Sequence, residues 1–213
     1  MKIEIITLFP QMFAGFLETG VLGRAIKNKL IEVKLHDMRK WAWNSYRAVD
    51  DKPFGGGVGM LIRVDVIDKA LTEIGRRGKK VLAMSAKGKK FDQETAERLA
   101  KEKSIVLLCG RYEGFDQRIL DNLADETISV GDFVLSGGEL GAMTVTDAVV
   151  RLLPGVLGKD ESNEDESFAK SNDRKVEYPQ YTRPESYKGL VVPKILLSGD
   201  HQKIEDWRER KRR

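Results

Sequence analysis

Apolar and polar residues alternate over Lys2-Ile3-Glu4-Ile5-Ile6-Thr7-Leu8, the period of a strand. The pattern then predicts a helix over 10–28, a strand over 31–36, an irregular basic and glycine-rich stretch over 39–60, and a helix over 63–75. A strand over 80–84, a helix over 92–101 with Asp92 as N-cap, and a strand over 104–109 follow. A helix over 115–123, a strand over 126–130 and a helix-like run over 143–153 complete the series. Strand alternating with helix implies an α/β fold with a mostly parallel sheet.

The apolar runs at 104–108 and 127–130 each stop at a glycine, Gly110 and Gly131, and a third turn, Ser136-Gly137-Gly138-Glu139-Leu140-Gly141, precedes the 143–153 run. Ligands of open α/β sheets bind at the carboxyl ends of the strands. Three glycine turns there expose backbone N–H and C=O groups that can read a flat heterocycle. After Pro154-Gly155 the character changes. Residues 159–175 are polar, with acids at 160, 161, 164, 165, 166 and 173, and read as a linker; 177–213 holds a proline-punctuated stretch and one helix over 200–212.

The 213 residues, 41% hydrophobic and 33% charged, suit one medium domain with a small appendage. No signal-peptide pattern opens the chain and no run approaches a membrane span, so a cytoplasmic protein without a membrane partner is expected. Cys109 is the only cysteine, which excludes an internal disulfide, and its place at a strand end suggests a small core residue. The net charge of +4 is mild, but 207–213 carries five cations in seven residues. Arg39, Lys40 and Arg47 are interleaved with Trp41, Trp43 and Tyr46. Cations beside aromatics suit RNA, and equally fit a solvated tail plus two core tryptophans. Two motifs fail: 53–60, PFGGGVGM, lacks the Gly-Lys-Ser/Thr of a phosphate loop, and no G-x-G-x-x-G is present.

The segments ITLFPQMF (6–13), DDKPFGGGVGM (50–60), CGRYEG (109–114), SVGDFVLSGGEL (129–140), RLLPGVLG (151–158), YPQYTRPE (178–185) and LLSGDHQKIEDWR (196–208) occur in that order. Together they resemble the bacterial tRNA (guanine-N1)-methyltransferases of the knotted SPOUT class. The resemblance implies a deep trefoil knot, a homodimer, and transfer of a methyl group from S-adenosylmethionine to N1 of the guanosine at tRNA position 37. It divides the chain into a knotted catalytic domain over 1–158, a flexible acidic linker over 159–175, and a small, shortened helical domain over 176–213 that grips the anticodon arm.

By position, the resemblance puts the cofactor against Gly110, Tyr112, Val130, Gly131, Asp132, Phe133, Val134, Leu135, Gly137 and Gly138, and the target guanine against Glu113. Magnesium is a candidate accompanying ion. Guanine N1 carries a proton at neutral pH, so a base must remove it, and a cation near O6 would stabilise the developing charge. Arg151 matches the cation. The family's usual aspartate before Ser-Phe is here Glu166, the first choice for the base, with Asp165 as the alternative. Ser85-Ala86-Lys87-Gly88 lacks a usual proline, Gly141 replaces another, and Asp200 replaces an asparagine. A knotted enzyme acting on another RNA, or a non-catalytic RNA binder, would share the cofactor loops but need not share Arg151 or the acidic linker.

Overall fold

The computed structural model describes residues 1–42, 44–157 and 166–213, which fall into two compact units divided between Leu157 and Gly158. The first unit opens with β1 (Lys2–Thr7), a turn of 3-10 helix (Pro10–Phe13), α1 (Ala14–Glu18), α2 (Gly20–Lys27) and β2 (Glu32–Asp37). A short hairpin, β3 (Asp50–Asp51) with β4 (Leu61–Ile62), precedes α3 (Val64–Ile74), β5 (Lys80–Lys90), α4 (Gln93–Leu99) and β6 (Ser104–Cys109). Then come one π-helical turn (Ile119–Leu123), β7 (Glu126–Ser129) and α5 (Glu139–Val150). The strands form a parallel sheet of order β2-β1-β6-β5-β7, with β1 central enough to pair with both β2 and β6.

Side-chain alternation along these strands fills two cores, one on each face. Ile3, Ile5, Leu82, Met84, Ile105, Leu107 and Cys109 point to the face covered by α2, α4 and α5, through Leu22, Ala96, Leu99, Val145 and Val149. Ile6, Val81, Ala83, Val106 and Leu108 point to the other, against Val66, Ile67 and Ala70 of α3. Trp41 lies in this second core, 3% exposed, and its indole donates to Glu73 at 2.9 Å, so it is packing and not a stacking platform for RNA. Trp43 lies outside the described residues; Tyr46 is exposed.

Three expected elements differ in form. The helix expected over 10–28 breaks because Thr19 is extended (φ −118°, ψ 168°) and Gly20 takes a positive φ of 64°. The helix expected over 115–123 shrinks to one wide turn closed by Ala124 N–H donating to the Ile119 carbonyl, while Asp116 accepts from the Arg118 N–H. The strand expected to end at 84 continues to Lys90 through a register shift between Met84 and Lys89, so that both residues pair with Ile128. Asp92 does cap α4, accepting from Thr95 N–H at 2.8 Å.

In the second unit, the 166–175 part of the segment expected to be a linker is a hydrogen-bonded turn: Phe168 N–H donates to Lys175 O, and the Asn172 amide to Glu166 O at 2.6 Å. Residues 159–165 lie outside the described residues. A hairpin of β8 (Ser186–Tyr187) and β9 (Leu190–Val191) and the helix α6 (His201–Lys211) follow. The basic end is tied down. Arg208 and Arg212 lie over the Tyr178 ring at 4.9 and 5.7 Å, and Arg213 and Val176 exchange backbone hydrogen bonds.

One buried charge anchors β1. Glu4, 3% exposed, meets Lys79, Lys2 at 3.5 Å and His36 at 3.3 Å. Burial pushes the Glu4 carboxyl up, but Lys79, Lys2 and His36 together hold it below the usual carboxylate value. A depressed folded pKa contributes stability above the unfolded pKa that is lost as pH falls through the folded one. Lys79→Met is therefore expected to cost roughly 3 kcal/mol in urea unfolding at neutral pH. The gap from wild type should narrow as pH drops below 4.5.

Candidate active site

The bulge within β5 and the loops that follow β6 and β7 meet at one edge of the sheet and enclose a cavity of about 190 Å³. Its floor is the end of β6, where Cys109 is fully buried. Burial pushes the Cys109 thiol well up, Glu139 adds to the shift and Arg111 opposes it, so the thiol stays protonated and is no nucleophile.

The cavity depends on a backbone contact. Gly138 N–H donates to the Gly110 carbonyl at 2.8 Å. A Cβ at Gly138 would stand 2.8 Å from the Gly110 nitrogen and 2.9 Å from the Cys109 Cα, atoms with no rotamer by which to yield. Glycine is required there by approach, since Gly138 itself has an ordinary helical φ of −78°.

The β3–β4 hairpin reaches the same edge. Ile62 N–H donates to the Gly114 carbonyl and Glu113 N–H to the Met60 carbonyl, which lays 60–62 along the 113–116 loop. Gly59, at φ +84°, leaves room for the Glu113 side chain, which a Cβ would meet at 2.4 Å. The PFGGGVGM segment, which fails as a phosphate loop, is thus a hairpin tip beside the cavity, with Phe54 and Val58 exposed.

Gly110, Tyr112, Val130, Gly131, Phe133, Val134, Leu135, Gly137 and Gly138 all line the cavity, as does Glu113. Asp132 does not, its carboxylate pairing with Lys90 instead. Tyr112 adopts a left-handed φ of 59°, and its hydroxyl pKa is raised, by burial first and then by Asp50. Arg151 follows the last residue of α5, whereas Gly138 stands before its first; a helix of 12 residues separates them by about 18 Å. Arg151 is therefore not among the residues that line the cavity. Glu166 belongs to the second unit and Asp165 lies outside the described residues.

Ten further residues line the cavity beyond the site positions inferred from the sequence, among them Ser85, Ala86 and Lys87 of the β5 bulge and Arg111. Gly88 inside a strand-like run was the available signal for the bulge; its Cβ position falls 2.5 Å from the β7 backbone. Arg111 carries no comparable signal.

The family model described as tRNA (Guanine-1)-methyltransferase TrmD matches residues 1–213. The chain belongs to this family. Among its relatives, a tRNA (guanine-N(1)-)-methyltransferase of Rhodopirellula baltica is 49% identical over 213 residues, covering 98% of this chain and 87% of that protein. A protein of the same description from Pelagibacter ubique is 49% identical over 205 residues, covering 96% and 89%. Another, from Geobacillus kaustophilus, is 47% identical over 212 residues, covering 99% and 86%. The departures seen in the sequence leave the cavity edge intact: Gly141 lines the cavity without displacing it, and Asp200 caps α6 by accepting from Lys203 N–H at 3.1 Å.

Gly138→Ala is expected to overpack this contact, costing about 1–3 kcal/mol and weakening any ligand of the cavity, as read by thermal unfolding and calorimetric titration. Gly15→Ala is the control: its Cβ would meet nothing within 4 Å. It lies in α1, where alanine should be neutral or stabilising by up to about 1 kcal/mol.

Proposed function

We propose that this protein transfers a methyl group from S-adenosylmethionine to N1 of the guanosine at position 37 of tRNA. The observation that carries the reading is the glycine-walled cavity between the β5 bulge and the ends of β6 and β7 in a chain of this family. The residues present fit a nucleoside cofactor: Val130, Gly131 and residues 133–138 line the cavity, the glycines at 110, 137 and 138 let its walls pack closely, and Val130, Phe133, Val134 and Leu135 supply apolar surface. When bound, S-adenosylmethionine supplies an electrophilic methyl group on a positively charged sulfur.

The chain's own residues then have three tasks. The 110–114 and 130–138 loops hold the donor in place so that the acceptor nitrogen approaches in line. Glu166, or Asp165 beside it, takes the N1 proton of guanine. Arg151 lies against O6 and stabilises the charge that develops there, for which its planar fork is suited. Glu113 orients the guanine by accepting from its N–H groups.

The position of Arg151 at the far end of α5 supports a homodimer, in which one protomer completes the other's site. Phe133, Val134 and Leu140 are exposed apolar residues around the cavity and would be covered in such an assembly. The close approach of Gly138 to the Gly110 backbone supports a trefoil knot, with the chain after β7 drawn against the loop after β6. The first unit is the catalytic domain, and the second unit grips the anticodon arm. No described helix is long and apolar enough to cross a membrane; the reading places the protein in the cytoplasm with tRNA as its partner.

Labelled methyl transfer to tRNA transcripts tests this directly. Incorporation is expected with guanosine at position 37 and not with adenosine. Transfer to neither, with the donor still bound, would turn the reading toward another RNA or a non-catalytic binder. Glu166→Gln is expected to slow single-turnover transfer by about 10²–10⁴-fold, and Arg151→Ala by about 10²–10³-fold, with donor affinity unchanged. If Glu166→Gln keeps full rate, the base passes to Asp165. The assay is run with and without magnesium, for which no group of three or more His, Cys, Asp or Glu is assembled among the described residues.

If one protomer completes the other's site, mixing inactive Arg151→Ala with inactive Gly138→Val under exchange conditions should restore about a quarter to a half of wild-type activity per site, since hybrid dimers keep one intact site. No recovery from a verified hybrid would place Arg151 in its own protomer's reaction.

A further inference from the structure

Arg111 lines the cavity, Glu139 is buried behind it, and neither has a task in the chemistry above. Glu139 opens α5, and its side chain is 1% exposed. One carboxylate oxygen accepts from the Thr7 hydroxyl at the end of β1, at 2.7 Å; the other stands 2.9 Å from Arg111 Nε. The Arg111 guanidinium is itself consumed. It lies 4.5 Å from the centre of the Phe9 ring, donates to the Ser136 carbonyl at 3.3 Å and contacts the Met12 sulfur at 3.1 Å. It also fills the space beneath the 136–138 turn, for a Cβ at Gly137 would fall 2.3 Å from Arg111 Nε.

A guanidinium cannot shed its charge, and neither can a sulfonium. If the cavity takes a sulfonium donor, an uncompensated Arg111 in its wall would oppose that ligand. Two like charges about 10 Å apart at an effective dielectric of about 20 repel by an amount worth roughly tenfold in affinity. Glu113, the acid that lines the cavity, is exposed and screened by water, whereas Glu139, behind the wall, is buried and screened much less.

We propose that Glu139 is the counter-ion that lets this cavity accept a cationic methyl donor: by cancelling Arg111 it sets the balance between the sulfonium ligand and its neutral thioether product. Glu139 is a positioning and charge-balancing residue and touches no reacting atom. The proposal rests on the reading of the cavity as the donor site.

The test is calorimetric affinity for S-adenosylmethionine and for S-adenosylhomocysteine, which differ by the methyl group and its charge. Glu139→Gln should weaken the cationic ligand about tenfold or more while the thioether loses at most about threefold. Arg111→Met should move the ratio the opposite way, leaving an unopposed carboxylate that favours the sulfonium. The double variant, with both charges removed, should return the ratio to within about twofold of wild type, which a purely architectural role would not produce. Arg111→Lys retains the charge and should keep the wild-type ratio even where both affinities fall together. A folded Glu139→Gln protein, or a folded Arg111→Met protein, with the wild-type ratio would overturn the proposal. Wild-type protein that binds neither ligand would instead overturn the donor reading beneath it.

Discussion

The contact between Gly138 and Gly110 is the constraint on which the rest of the site depends. Two backbones meet at hydrogen-bond distance with no side chain between them, and everything that lines the cavity is referred to that point. The loop after β6 is fixed from below by its strand and from the side by the β3–β4 hairpin. The 130–138 segment is fixed at one end by β7 and at the other by α5. With both ends of both loops held, the backbone groups that face the cavity are already in place before any ligand arrives. Such preorganisation is how a loop site obtains geometric precision without large side chains.

A second principle is the separation of charge from the cavity surface. Arg111 lines the space but is turned to an internal carboxylate, an aromatic face and a carbonyl. Glu4, on the same central strand as Thr7, follows the same logic away from the site, with Lys79, Lys2 and His36 gathered around it. Both clusters join elements distant in sequence: β1 with the approach to β5 in one, β1 with the β6 loop and α5 in the other. The central strand is thereby tied to the site at its carboxyl end and to the sheet's far side near its start.

Much of this was legible in the chain. The strand runs at 2–8, 104–109 and 126–130 have a short period and end at turn residues, so their boundaries followed from pattern alone. The three glycine turns fall at one edge of the sheet, and nine of the ten cofactor positions inferred by resemblance line one cavity there. Asp132 does not, because a side chain on an exposed loop was free to turn outward to Lys90. The break at Thr19 and the wide turn at 119–123 were not legible, since local side-chain bonds and one positive φ override an otherwise helical pattern. The β5 bulge and the Arg111–Glu139 pair were missed for a different reason. Both are long-range facts: one needs the register of β5 on β7, the other brings together residues 7, 111 and 139.

In the proposed reading, the cavity behind the Gly138–Gly110 contact holds the methyl donor's nucleoside. A crystal structure of the protein with S-adenosylhomocysteine measures this most directly. The adenine should lie among the 130–138 backbone groups, with the sulfur turned toward Tyr112 and Glu113. A fully occupied ligand bound elsewhere, with this cavity filled only by solvent, would contradict the account.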